Sequence, residues 1–129
     1  MTVAKSSGAL HGRRVLDLAD ASGAYCGKLL ADLGALVIKV EPPAGDPLRH
    51  EPPLAGAESA FFNYLNTNKL GVRLEPGSPD LDLLLARADV VIHSSTGPEA
   101  DALEARPAAL PPAAAVTSLS PYGRSGPRA

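Results

Sequence analysis

Aromatic side chains are scarce in this chain: tryptophan is absent, and Phe and Tyr together make up 4% of its 129 residues. Apolar residues nonetheless reach 45%, so a core must be assembled from Leu, Val, Ile and Ala. A single cysteine, Cys26, excludes an internal disulfide and suits a reducing compartment. No apolar run approaches the roughly 20 residues that span a bilayer. The first eight residues are short and polar, without the apolar stretch of a signal peptide. Net charge is −2 and the basic residues are scattered, so the footprint of nucleic-acid binding is missing. No spacing of His, Cys, Asp or Glu reads as a metal site. The expectation is a cytoplasmic, soluble protein with no membrane or nucleic-acid partner and no metal.

What is present is an alternation of short apolar strands with helices. Residues 1–9 read as a leader. Val15–Leu18 is a strand, and Ser22 is placed to cap a helix from about Ala24 to Leu33. Leu29, Leu30 and Leu33 would form its buried face, with Cys26 as a small buried helix residue. Gly34 ends the helix, and Leu36–Val40 is a second, β-branched strand stopped by Pro42-Pro43. This is a βαβ unit, which implies parallel pairing. Residues 42–57 read as a Pro/Gly loop, and Ser59 caps a short helix carrying Phe61, Phe62 and Leu65. Val72–Leu74 is a third strand, Ser78-Pro79-Asp80 a helix start with Leu81, Leu84 and Leu85 buried, and residues 89–93 a fourth strand. Pro98 opens a helix to about Ala105, residues 106–115 are rich in Pro and Ala, Ala115–Leu119 is a last strand, and residues 120–129 form a loose tail. The expected fold is α/β: a Rossmann-like open, mainly parallel sheet with flanking helices, in one domain over residues 10–129.

In such sheets ligands bind outside the carboxyl ends of the strands. Four loops fall there: 19–23, 41–49, 75–78 and 93–98. The first has free N–H groups at a helix start, which favour anions, but Gly23 and Gly27 do not make a dinucleotide fingerprint. Glu41 either holds a ribose hydroxyl or is a solvated strand end. Asp46 and Arg49, three apart, read as a local surface pair. Asn63, Asn66, Asn68 and Lys69 either close a helix or edge a polar pocket. His93 beside Ser94 and Ser95 hints at acid/base chemistry, although a strand-end histidine is usually structural.

An ordered set of segments resembles the N-terminal part of the class III CoA-transferase family, which includes formyl-CoA and carnitine CoA-transferases and the related α-methylacyl-CoA racemases. The segments are LHGRRVLDL from Leu10, LLADLGA from Leu29, VIKVEPP from Val37 with Gly45-Asp46-Pro47 and Arg49, then Asn66-Thr67-Asn68-Lys69, Ala88–Ile92, and Tyr122–Pro127. The resemblance implies a coenzyme A or acyl-CoA substrate. It implies CoA contacts at Ala21, Ser22, Pro42, Leu74, Glu75, Pro76, Gly77, Ser94 and Ser95. It also implies an aspartate nucleophile, which in the family lies well beyond the Tyr122–Pro127 motif, so no catalytic residue is assigned in this chain.

The resemblance thus points to the N-terminal, CoA-binding segment of a CoA-transferase, inactive alone. It would work as a homo-oligomer or with a partner chain that supplies the rest of the fold. Two alternatives share these residues: a non-catalytic CoA-binding or partner subunit, and a fragment of a related acyl-CoA racemase. A third keeps the fold and exchanges CoA for another nucleotide.

Overall fold

A computed structural model describes residues 8–95, 97–104 and 110–127. Residues 1–7 of the leader, 106–109 of the Pro/Ala-rich segment and the end of the tail lie outside the described residues. Strand β1 (Arg14–Leu18), helix α1 (Ala21–Asp32) and strand β2 (Leu36–Glu41) form the expected crossover. There follow two-residue strands β3 (Leu54–Ala55) and β4 (Glu58–Ser59), helix α2 (Ala60–Leu65), strand β5 (Leu70–Arg73), helix α3 (Pro79–Leu85), strand β6 (Val90–His93), helix α4 (Gly97–Glu104) and strand β7 (Ala115–Ser118). The main sheet has the order β5-β2-β1-β6-β7 and every pairing in it is parallel. Among the described residues no helix is long and apolar enough to cross a membrane.

Period-two alternation divides the sheet into two faces. Val15 and Val37 point to the α1 side and pack with Ala31, Ala35 and Ile92. Leu16 and Val91 point to the other side and pack with Leu81, Leu85 and Ala88 of α3 and its end. Both cores are aliphatic, as the composition requires. A third cluster, Ala24, Leu48, Phe62 and Leu65, seats the excursion between β2 and β5 against α1.

Several local expectations change. Helix α1 starts at Ala21, because Asp20, not Ser22, is its N-cap: the Asp20 carboxylate accepts from Ser22 N at 2.8 Å. Its buried face is the small-residue stripe Gly23, Ala24, Gly27 and Ala31. That turns Leu29 (45% exposed) and Leu33 (51%) outward and leaves Cys26 exposed. Small residues win because the helix lies almost on the sheet: a Cβ at Gly27 would come within 2.3 Å of the Asp17 carboxylate and 3.0 Å of Lys69 Nζ. Strand β5 begins at Leu70, two residues earlier than Val72. Within the stretch read as loop, Pro47–His50 is a 3-10 turn and β3 pairs antiparallel with β4. The caps at Ser59 and Ser78 stand as expected, accepting from Phe62 N and Leu81 N.

Candidate functional site

The carboxyl ends of β1, β2 and β5 carry different chemistry on the two faces of the sheet. On the α1 face they carry charge. Asp17 of β1 accepts from Lys69 Nζ at 2.7 Å, with side-chain exposures of 0% and 1%. The remaining Lys69 donors reach Ala24 O (2.8 Å) and Asn66 Oδ1 (3.0 Å), so all three ammonium hydrogens are used. Burial pushes the Lys69 ammonium below its usual range, with Asp17 opposing the shift. On β2, Lys39 meets Asp46 at 2.9 Å and donates to Ala19 O. Glu41 receives Arg49 through both Nε and Nη2, each at 2.7 Å, and Asp46 N at 2.9 Å. The Arg49 contact, helped by the Asp46 amide and opposed by burial, holds the Glu41 carboxyl at about 2 against an ordinary 4.5.

Two readings of the sequence are thereby corrected. Asp46 and Arg49 are not a local surface pair, since each bonds a charged residue of β2. Glu41 is neither a solvated strand end nor a vacant acceptor for ribose, because Arg49 and the Asp46 amide engage its two oxygens.

On the α3 face the same strand ends are apolar and frame a cleft of about 400 Å³. Leu18, Val40, Leu81 and Leu103 form its walls. Six of the nine residues that the resemblance implied lie around it: Pro42, Leu74, Glu75, Pro76, Gly77 and Ser95. The other three do not. Ala21 and Ser22 occupy the first turn of α1, and the Ser94 hydroxyl accepts from Asp20 N at 2.7 Å. Burial alone would raise the Asp20 carboxyl, but the Ser22 hydroxyl and amide outweigh it and hold the group below its usual value. An anion approaching the start of α1 therefore meets a carboxylate that already caps it.

Sequence reading missed the apolar walls. Leu18 and Val40 end neighbouring strands on one face, and that alternation was the available signal. Among the described residues none that lines the cleft is Lys or Arg, and these described walls suit a flat or apolar group rather than a phosphate. His93 is fully buried at the end of β6. Among the described residues no cluster of three His, Cys, Asp or Glu could hold a metal ion.

Comparison with known proteins identifies the family. The family described as CoA-transferase family III matches residues 10–129. A succinyl-CoA:mesaconate CoA-transferase of Haloarcula hispanica is 42% identical over 97 residues, 67% of this chain and 24% of that protein. A subunit of the succinyl-CoA:(R)-benzylsuccinate CoA-transferase of Thauera aromatica is 35% identical over 128 residues, 90% of this chain and 31% of its own length. The crystal structure of a CAIB/BAIF family protein from Brucella suis superposes with a TM-score of 0.83 at 30% identity, covering 95% of this chain and 36% of that one. The chain thus spans about a quarter to a third of the length of these relatives. A match running over residues 10–129 settles the family: the chain belongs to the CoA-transferase family III.

Proposed function

We propose that residues 10–129 form the CoA-binding α/β domain of a class III CoA-transferase, which moves CoA between carboxylic acids. The observation that carries this reading is the convergence of Pro42, Leu74, Glu75, Pro76, Gly77 and Ser95 on one cleft beyond the strand ends, where open α/β sheets bind ligands. CoA is polyanionic and the described lining of the cleft holds no Lys or Arg, so it takes an uncharged portion, the adenine ring or the pantetheine arm, with the phosphates toward solvent. Ala21, Ser22 and Ser94 would then make their contacts at the edge. The Haloarcula and Thauera relatives named above are CoA-transferases, which favours transfer over racemisation. A reducing, cytoplasmic setting is consistent with the single exposed thiol.

The test is calorimetric. CoA and acetyl-CoA should bind the chain weakly but saturably, and NAD should not. Ser95→Trp, which fills the cleft, should weaken CoA binding by about tenfold or more, a change of about 1.4 kcal/mol. NAD binding with no CoA binding would transfer the fold to another nucleotide and end this reading. No residue of this chain is assigned as the family's aspartate nucleophile, so the chain alone should transfer no CoA. Turnover by the purified chain would refute that part.

Tyr25, Leu29 and Leu33 form an outward apolar stripe along α1. Together with the coverage of a third of its relatives, the stripe supports association with a second copy or a partner chain. A monodisperse monomer in light scattering would count against it.

A further inference from the structure

Glu41 is joined to both walls of the cleft. Its main-chain oxygen accepts from Leu74 N at 3.0 Å, where the wall 74–77 begins. Its carboxylate lies under the sheet and receives Asp46 N and the two-pronged Arg49 contact. Only Pro42–Gly45 separate Glu41 from Asp46. That turn is closed by Gly45 N donating to Pro42 O at 2.8 Å, with Gly45 at φ +88°, a conformation natural to glycine alone. Asp46 is fastened in turn: its carboxylate meets Lys39 Nζ at 2.9 Å and accepts from Leu48 N. Arg49 also lies over the Phe62 ring at 4.0 Å, so α2 holds the guanidinium from the other side. The charged groups facing the Glu41 carboxylate are thus Arg49 and Lys39, with Asp46 beside them and Arg73 packed near Gly45.

We propose that the Glu41–Arg49 pair is a positioning device, which fixes the spacing of the Pro42 and Leu74 walls so that ligand affinity depends on Arg49, a residue that does not line the cleft. The inference rests on the CoA reading for its ligand and on the hydrogen-bond geometry for the rest. A planar guanidinium delivering two parallel bonds sets orientation as well as distance, which a lysine cannot do.

The experiment uses Arg49→Met and Arg49→Lys in the whole chain, with CoA as the probe. Met keeps the apolar contact with Phe62, and Lys keeps the charge. Arg49→Met should bind CoA about tenfold more weakly, with Arg49→Lys between it and the unsubstituted chain. Millimolar methylguanidinium should restore part of the affinity of Arg49→Met, a recovery that a general loss of packing would not give. Hydrogen exchange without ligand should quicken at the Asp46 and Leu74 amides in Arg49→Met. Equal CoA affinity in folded Arg49→Met or in Arg49→Lys, or unchanged exchange at those amides, overturns the proposal. If the unsubstituted chain binds no CoA, the CoA reading fails, and the exchange rates still decide the clamp.

Discussion

Replacing Lys69 by Met should destabilise the protein by about 3–5 kcal/mol, the cost of stranding one buried charge when its partner is removed. The stranded group is Asp17, fully buried beneath α1. The helix lies close over it at Gly27, where an added Cβ would meet the carboxylate at 2.3 Å. Asp17 keeps one partner, the Ala19 amide at 3.0 Å, which does not balance its charge. The double variant Asp17→Asn/Lys69→Met should recover most of the loss, because Asn can still accept from Ala19 N and no charge remains buried. Urea unfolding of the two single variants and the double gives the coupling energy directly. Additive losses, with no recovery in the double, would mean the pair is not the unit that matters.

Acid should expose the second ion pair. Glu41 has its carboxyl lowered from 4.5 to about 2 in the folded chain, so between those values the unfolded chain binds more protons. Stability from this group is complete above about 4.5 and is lost as pH falls through that window toward 2. The shift corresponds to at most about 3 kcal/mol. Arg49 is 39% exposed, and solvent screening brings the expected figure nearer 2 kcal/mol. Glu41→Gln should therefore be less stable by about that much at pH 7, and the gap should narrow steadily below pH 4.5. Urea midpoints that stay parallel from pH 7 to pH 3 would show that Glu41 does not titrate against folding.

Much of the fold could be read from local signals. A helix period bounded by Gly34, proline at the first position of α3, and Ser caps at 59 and 78 are decided within a few residues, so they survive into the structure. The cleft was half legible, since a strand-end turn at Pro42 and another at Glu75–Gly77 follow from strand placement. What failed depended on approach between distant segments. Hydrophobicity alone points to the leucines as the inward face of α1, but the sheet beneath carries Asp17, and only the glycine and alanine stripe lets the helix come down over it. Lys39 and Glu41 alternate with apolar residues in β2, which puts both on one buried face and obliges both to find partners. That obligation was visible in the sequence. The partners were visible only as nearby charges, Asp46 and Arg49, and pairing them with each other overlooked it.

Strand order has a consequence for synthesis. The central strand β1 takes one neighbour, β6, from far downstream: Arg14 N bonds the Asp89 carboxylate across 75 positions of sequence. At about 5–20 residues per second, a ribosome needs roughly 4–15 s to make that span. Throughout that interval one side of β1 stays open, a parallel edge of Val15, Leu16 and Leu18 with no strand beside it, even after β2 and then β5 have been made. Such an edge invites pairing with another chain, so the molecule is most prone to aggregate before Val90–His93 leaves the ribosome.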